Sequence, residues 1–274
     1  MSMVLLWISG VLLCLVALYL WIIAPASRRP DASAFIGKLF AHRGLHDGNQ
    51  NVIENSLAAF QRAVEAGYGI ELDVQRTKDR KAVVFHDGDL RRICGYQGKL
   101  RHLTYEELRA YPLPDGTAIP LLSEVLARVG GEVPLIVEIK YYGGAAQNTA
   151  LAMDVLREYT GPYCVESFHP LAVRYLKRHA PEILRGQLAE GGRWDPDDMA
   201  LSFHLAQKHL LANVLGRPHF VAYSCPEDHT LAMWLMKNVF HPLLAAWTIR
   251  DQETLKENRQ AYDMFIIEGF SPAD

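Results

Sequence analysis

The chain has 274 residues, half of them hydrophobic, and its 31 acidic and 28 basic side chains leave a formal net charge of -3. This balance argues against a general binder of nucleic acid or another polyanion, and the length suits one large α/β domain. The four cysteines lack metal-type spacing, and three thiols outside the N-terminal apolar run cannot all pair with one another, which argues against a disulfide framework.

The first predicted element is a transmembrane helix at the N-terminus. Residues 4–24 form an almost unbroken apolar run, and no charged side chain appears before Arg28. About 20 such residues span the hydrocarbon core of a bilayer. We therefore predict a transmembrane helix within residues 1–27, a linker over residues 28–36 and the membrane bilayer as one partner.

The orientation of this helix is predicted from the charges around it. Arg28 and Arg29 follow the apolar run, whereas no Lys or Arg precedes it. The positive-inside rule then predicts a single-pass protein of the cell membrane whose remaining domain faces the cytoplasm. A cleavable signal peptide is the alternative, because residues 24–26 resemble a cleavage site.

Beyond residue 37, short apolar runs alternate with segments of helical periodicity. This alternation predicts parallel strands, and eight such units predict a closed TIM (β/α)8 barrel over residues 37–274. Asn55 is the predicted N-cap of the first barrel helix. The predicted strands cover residues 37–42, 70–74, 134–140, 163–168, 183–188, 219–224, 243–249 and 264–268, with a further extended segment at 82–86. The later helices are predicted from residue 121 onward and over 145–159, 170–179, 198–211, 226–237 and 252–258.

Residues 88–118 interrupt this alternation after the second strand region. The stretch is rich in glycine and proline and too long for an ordinary connector. It therefore predicts an insertion that acts as a lid or substrate wall above the strand ends. Thr104 is the predicted N-cap of a short helix within it. Arg91 and Arg92 are predicted either to meet an anionic substrate or to be solvated.

Two carboxylates end the second predicted strand. Glu71 and Asp73 are two residues apart, so both side chains project from the same face of the strand. Two anions this close resist joint ionisation unless a cation bridges them. A hard cation such as Mg²⁺ or Ca²⁺ is the simplest occupant, and a pair of solvated edge carboxylates is the alternative.

Two histidines bracket this carboxylate pair in the sequence. His42 and His86 each end an apolar segment. Imidazole is the side chain best suited to moving protons near neutral pH. The combination of two histidines and two carboxylates at strand ends favours an acid and a base around a metal.

Five motifs in a fixed order make this pattern specific. They are His42-Arg43-Gly44, Glu54-Asn55-Ser56, Glu71-Leu72-Asp73-Val74, His86-Asp87 and, on the third predicted strand, Val137-Glu138-Ile139-Lys140. Together they resemble the signature of the glycerophosphodiester phosphodiesterase family. The resemblance also includes residues 119–126 and covers nearly all of the chain beyond about residue 37.

This resemblance implies a metal-dependent catalytic site. The three acidic metal ligands of the family correspond to Glu71, Asp73 and Glu138, and its two catalytic histidines to His42 and His86. The metal, Mg²⁺ or Ca²⁺, acts as Lewis acid and template, and the histidines act as general acid and base. Which histidine is the acid stays open.

Further residues are assigned to substrate binding. The resemblance implies that Arg43 and Lys140 contact phosphate, with ion pairs to the site acids as the alternative. It also implies that Glu54 and Asn55 orient these groups. Trp247, near the end of the seventh predicted strand, either forms an apolar wall for a glycerol or lipid group or belongs to the core.

Three positions depart from the family pattern. Arg250 stands where the family usually has Asn, Glu268 where Thr-Asp is common, and Cys94 where Thr is frequent. These differences leave the metal ligands and the histidines intact and bear on the identity of the substrate.

The sequence therefore predicts a membrane-anchored, metal-dependent hydrolase that cleaves glycerophosphodiesters to sn-glycerol 3-phosphate and an alcohol. One alternative is a lysophospholipase D-like enzyme that hydrolyses membrane lysophospholipids. Another is a barrel that binds lipid or phosphate without catalysis. The predicted partners are the substrate and the bilayer, with no nucleic acid and no predicted oligomeric state.

Overall fold

The computed structural model describes residues 3–194 and 200–272. Its strands are β1 (Leu39–Ala41), β2 (Gly69–Arg76), β3 (Ala82–Val84), β4 (Leu135–Ile139), β5 (Tyr163–Ser167), β6 (Arg185–Ala189), β7 (Phe220–Ser224), β8 (Leu243–Ile249) and β9 (Met264–Ile267). Its helices are α1 (Met3–Ile23), α2 (Leu57–Glu65), α3 (Arg91–Cys94), α4 (Tyr105–Leu108), α5 (Leu122–Val129), α6 (Ala145–Leu156), α7 (Pro170–His179), α8 (Leu201–Lys208), α9 (Asn213–Gly216), α10 (Leu231–Leu235) and α11 (Gln252–Asn258). A 3₁₀ turn at Leu100–His102 and a π-helical turn at Met236–Phe240 complete the regular structure.

Eight of these strands run parallel and close into a barrel. The order β1-β9-β8-β7-β6-β5-β4-β2 returns to its start because β1 pairs with both β2 and β9. β3 pairs antiparallel with β2 outside this ring. The TIM barrel predicted from the alternation of strands and helices is therefore confirmed.

Large and small residues fill the barrel interior in alternation. A Cβ atom added to Gly69 would lie 2.5 Å from the ring of Phe40, and one added to Gly186 would lie 2.2 Å from the ring of Phe220. Both rings are fully buried. The two glycines therefore make room for two aromatic rings inside the barrel, and polar side chains occupy the carboxyl end above them.

The insertion folds against the barrel on a small core of its own. Ile93, Leu100 and Leu108 pack with apolar side chains of β3 and the neighbouring loops. Thr104 caps α4, since its Oγ1 accepts from Glu107 N at 3.2 Å while a Glu107 carboxylate oxygen accepts from Thr104 N at 2.8 Å. This reciprocal pair is a capping box, and it confirms the predicted cap.

Within the described residues, α1 is the one helix long and apolar enough to cross a membrane. Most of its side chains are exposed, but Ile23 at its end is fully buried. Asn213 Nδ2 donates to Ile23 O at 2.8 Å, and Arg217 Nη1 donates to Trp21 O at 2.6 Å and to Ala24 O at 2.8 Å. The end of α1 is therefore bound to the loop and short helix that precede β7.

Two predicted helix starts are wrong. Ser56, not Asn55, caps α2, because Ser56 Oγ accepts from Ala59 N at 3.1 Å. The helix predicted from Pro226 begins only after Thr230, whose side chain accepts from Met233 N. The predicted start of another helix, Asp198, lies outside the described residues, and α8 covers its later part.

Candidate active site

Three carboxylates converge at the carboxyl ends of two neighbouring strands. β2 carries Glu71 and Asp73, β4 carries Glu138, and Asp73 lies directly opposite Glu138 in the strand register. One carboxylate oxygen of each lies within 4.8 Å of the others, and all three residues are buried. Hard oxygen donors this close together fit a single Mg²⁺ or Ca²⁺ ion.

Two cationic side chains sit against these carboxylates. Lys140 Nζ lies 2.8 Å from Asp73 Oδ1 and 2.7 Å from Glu138 Oε1. Arg43 Nη1 lies 2.8 Å from Glu54 Oε1, and its Nε lies 3.5 Å from Asp73 Oδ2. The structure thus has the ion pairs that the sequence left as the alternative to phosphate contacts, and both cations border the cavity where a phosphate would enter.

The pKa values of Glu71 and Asp73 are shifted in opposite directions. Burial and the charges of Asp73 and Glu138 raise the pKa of Glu71 well above its usual range. Burial also acts to raise the pKa of Asp73, but Lys140, His86 and Arg43 outweigh it and hold that pKa well below its usual range. A cluster in which one acid resists ionisation beside an ionised neighbour is arranged to gain a cation.

Each predicted catalytic histidine has a carboxylate at Nδ1. His42 Nδ1 lies 3.0 Å from Glu268 Oε1, and His86 Nδ1 lies 2.7 Å from Asp87 Oδ1. Hydrogen bonds from His42 lower the pKa of Glu268 against the opposing effect of burial. An ionised carboxylate only accepts, so both Nδ1 atoms donate and each Nε2 is left to exchange a proton.

Asn55 ties the turn after β1 to the carboxylates. Its backbone has φ of 56°, its N–H donates to Arg43 O at 2.8 Å, and its Nδ2 donates to Asp73 Oδ2 at 2.7 Å. Asparagine tolerates this left-handed conformation better than most residues. The residue predicted as a cap therefore orients Asp73 instead, in line with its other predicted role.

Glu54 links the site to the insertion. It accepts from Arg43, and both of its oxygens accept from the Arg92 guanidinium at 2.7 Å. Arg92 Nε also donates to Asp87 at 2.7 Å. Arg92, predicted to meet substrate or solvent, is exposed to solvent at 45% of its side chain and also fixes the carboxylates that hold Arg43 and His86.

A cavity of about 130 Å³ opens beside these groups, with His42 and His86 both in its lining. A second cavity of about 260 Å³ shares His86, Glu138, Lys140, Phe168 and Trp247 with the first. The Trp247 ring meets Phe168 edge to face, with centroids 5.5 Å apart. Trp247 thus lines the space and also packs against the buried core of the barrel, so its position fits both predicted alternatives.

Comparison with known sequences decides the family. Residues 42–265 match the Glycerophosphoryl diester phosphodiesterase family. The chain belongs to this family. The chain is 34% identical to the glycerophosphodiester phosphodiesterase of Caldanaerobacter subterraneus subsp. tengcongensis. The match covers 186 residues, which is 62% of this chain and 74% of the relative. The family predicted from the five motifs is confirmed.

Other relatives match over shorter stretches. A glycerophosphodiester phosphodiesterase of Bacillus altitudinis is 40% identical over 111 residues, 38% of this chain and 44% of the relative. Lysophospholipase D GDPD1 of Rattus norvegicus is 37% identical over 120 residues, 39% of this chain and 37% of the relative. The matched parts thus span less than half of these two proteins.

Solved structures share the fold. A glycerophosphodiester phosphodiesterase of Thermotoga maritima has a TM-score of 0.64 and 25% identity, covering 84% of this chain and 93% of that one. A phosphodiesterase of Oleispira antarctica, in complex with the product sn-glycerol-3-phosphate, has a TM-score of 0.67 and 23% identity, covering 85% and 93%.

The sequence motifs missed two carboxylates of the phosphodiesterase. Glu268 is not among the predicted site residues, yet it follows β9 directly beside His42, which follows β1. Glu166 on β5 lies opposite Glu138 in the register, is 1% exposed and lines the smaller cavity. Both carboxylates could have been predicted if the residue-by-residue pairing of neighbouring strands around the closed barrel had been known.

Proposed function

We propose that the protein is a metal-dependent enzyme that hydrolyses glycerophosphodiesters to sn-glycerol 3-phosphate and an alcohol. The observation that carries this proposal is the placement of three buried carboxylates in one cluster with two carboxylate-held histidines at the same cavity. The product bound by the related Oleispira antarctica phosphodiesterase supports the choice of substrate class.

Glu71, Asp73 and Glu138 are the residues that would hold the metal. Their oxygen donors and their burial suit a hard divalent cation, Mg²⁺ or Ca²⁺. When bound, such an ion neutralises charge that accumulates on the phosphate during the reaction. Arg43 and Lys140 border the same cavity and would contact the remaining phosphate oxygens.

The histidines supply the proton transfers. With Nδ1 held by a carboxylate, the neutral imidazole offers the Nε2 lone pair to an attacking hydroxyl, and the imidazolium returns a proton to the leaving alkoxide. We favour a glycerol hydroxyl of the substrate as the nucleophile, which bonds to phosphorus as the bond to the leaving alcohol breaks. Water then opens the resulting cyclic phosphate to sn-glycerol 3-phosphate. Phosphorus NMR during turnover tests this route, because a reaction without a cyclic phosphate signal under rapid quenching would favour direct attack by water.

A metal-by-substrate assay tests the proposed function. The full chain in detergent, stripped with chelator, is expected to hydrolyse glycerophosphocholine only after Mg²⁺ or Ca²⁺ is restored. Asp73→Asn and His86→Ala are expected to lower kcat by about 10²- to 10⁴-fold. His179→Ala, which changes an exposed histidine on α7, is the matched control.

Two outcomes would contradict the proposal. Full activity in chelator would show that the reaction needs no metal. Full activity of His86→Ala would show that it does not need the histidine pair. If neither metal supports hydrolysis of any glycerophosphodiester, a barrel that binds lipid or phosphate without catalysis becomes the better hypothesis.

A lysophospholipase D-like activity is the second candidate. The apolar helix α1 would keep the barrel beside lipid substrates, and the match to lysophospholipase D GDPD1 of Rattus norvegicus supports it. Comparing kcat/KM for glycerophosphocholine and lysophosphatidylcholine in the same detergent separates the two. A preference for the lysolipid would make lysophospholipids the substrate.

We infer that α1 is retained as an anchor and that the barrel faces the cytoplasm. The contacts of Asn213 and Arg217 with the end of α1 support retention, because cleavage after α1 would break them. An N-terminal epitope tag is expected to stay on the mature chain, which should resist extraction from membranes by alkaline carbonate. A C-terminal fluorescent fusion that folds only in the cytoplasm tests the orientation, and a dark fusion would reverse it.

A further inference from the structure

The second cavity lies on one side of the catalytic cluster. It shares His86, Glu138 and Lys140 with the catalytic cavity, whereas His42, Glu71 and Arg250 line only the smaller one. A substrate phosphate held at the carboxylates would therefore direct one of its two ester groups past His86 into the larger space.

Aromatic rings form much of the wall of this second cavity. Tyr141 and Tyr142 follow β4, with ring centroids 5.1 Å apart, and Phe168 follows β5. Trp247 of β8 stands nearly perpendicular to Phe168, at 83°. Four rings from three strand ends thus line the same volume.

The polar groups in this wall favour a cation. Glu190, which follows β6, adds a carboxylate to the lining, and Gln207 of α8 adds an amide. Lys140 is engaged by Asp73 and Glu138, which offset its charge. A cation over aromatic faces is attracted by the ring quadrupole, and the attraction strengthens when the cation is desolvated.

The opposite side of the site has two arginines and fewer aromatic rings in its lining. Arg43 and Arg250 border the catalytic cavity near His42 and suit the phosphate and the hydroxyl groups of glycerol. Both arginines are paired, Arg43 with Glu54 and Arg250 with Glu268, so the second cavity is distinguished by its aromatic wall and by Glu190.

We propose that the second cavity binds the alcohol that leaves the phosphate, and that it selects a cationic amino alcohol, with a quaternary ammonium group as the best fit. The proposal rests on the proposed phosphodiesterase function and deepens it. A cavity of about 260 Å³ admits a headgroup of this size, being smaller than a drug-sized pocket.

A pair of substrates that differ only in charge tests the proposal. Glycerophosphocholine carries a quaternary ammonium, and the 3,3-dimethylbutyl ester of glycerophosphate has the same shape without the charge. The full chain in detergent with its active metal is expected to prefer glycerophosphocholine in kcat/KM by about tenfold.

Variants of the wall locate this preference. Tyr141 is 37% exposed, so Tyr141→Leu should fold normally while losing an aromatic face. Tyr141→Leu and Glu190→Gln are each expected to reduce the preference several-fold, and Tyr141→Phe is expected to keep most of it. Tyr175→Leu and Glu227→Gln change residues outside both cavities and serve as matched controls.

Equal kcat/KM for glycerophosphocholine and the dimethylbutyl ester overturns the proposal. So does a fall in kcat/KM that is equal for both substrates in Tyr141→Leu and Glu190→Gln. The failure of the proposed function looks different, because neither substrate is then hydrolysed. In that case calorimetric titration with choline and with 3,3-dimethylbutan-1-ol decides. Tighter binding of choline that Tyr141→Leu abolishes supports the site, and equal or absent binding of the two alcohols overturns it.

Discussion

Glu268 is the residue that completes the environment of His42. One of its oxygens lies 3.0 Å from His42 Nδ1 and 3.4 Å from His46 Nε2, and the other lies 2.8 Å from Arg250 Nη2. Glu268 and Arg250, two departures from the family pattern, are therefore one ion pair at the closure of the barrel. The pair holds the imidazole so that Nε2 faces the cavity.

We expect Glu268→Ala to impair catalysis more than substrate binding. Without the carboxylate, His42 loses the partner that fixes its ring and tautomer, so kcat should fall by about 10²-fold with a smaller change in KM. Steady-state kinetics with glycerophosphocholine measure both. Glu253→Ala on the exposed face of α11 is the control, and an unchanged kcat in Glu268→Ala would show that His42 needs no such partner.

The charged and imidazole side chains at predicted strand ends indicated more of the site than helix-capping patterns did. The three carboxylates and two histidines lie together because β2, β4 and the segments after β1 and β3 all end at one face. The cap at Asn55 was wrong because Ser56, one residue later, can also cap, and only the tertiary contact with Asp73 decides between them. Glu268 depends on a register that spans the whole chain.

The end of α1 is docked by groups that satisfy its terminal carbonyls. Arg217 donates to Trp21 O and Ala24 O, and its guanidinium carbon lies 4.9 Å from the centre of the Trp21 ring. Carbonyls at a helix end lack partners within the helix and carry partial negative charge, so a cation there stabilises the end. The short helix α9 that precedes Arg217 was not predicted, because four residues give no periodic signal.

Removing this cation should loosen the junction between α1 and the barrel. We expect Arg217→Ala to lower the free energy of unfolding in detergent by about 1.5–3 kcal/mol, the range for hydrogen bonds to a charged donor. Trypsin should also cut faster after Arg28, whereas Pro30 blocks cleavage after Arg29. Arg174→Ala on α7 is the control, and unchanged cleavage in Arg217→Ala would mean that the docking does not order the linker.

The stability of the molecule as a whole should depend on pH through His219. This residue, just before β7, is 5% exposed, and burial together with the charges of Arg185 and Arg29 lowers its pKa to about 4. Between pH 6.5 and 4 the unfolded chain binds a proton that the folded chain does not bind. The contribution of His219 to the free energy of unfolding is therefore complete above about pH 6.5. It declines as the pH falls towards 4 and does not change further below that pH.

The expected loss from this group is about 2 kcal/mol between pH 7 and pH 5. Urea unfolding followed by tryptophan fluorescence in detergent measures the free energy at both values. His219→Asn keeps an acceptor for the Arg185 N–H without titrating, so its pH slope should be smaller by that amount. His102→Asn, at an exposed position, should keep the wild-type slope, and equal slopes for all three proteins would contradict the assignment.

The architecture as a whole followed from the alternation of strands and helices. Eight apolar runs at regular spacing predict a closed barrel because parallel strands with crossover helices have few other solutions. The interior of the insertion did not follow, since the small core around Leu100 and Leu108 forms only through contacts with β3.

Lys140 bears on how the carboxylate cluster would acquire the proposed metal ion. Its ammonium group already lies between Asp73 and Glu138, so mutual repulsion of the carboxylates is relieved while the barrel assembles. Folding and ion uptake can then occur as independent events, in contrast to small domains that collapse only around their ion. If the proposed metal dependence holds, such an enzyme could be emptied and reloaded reversibly, and ion supply could govern its activity without altering its abundance.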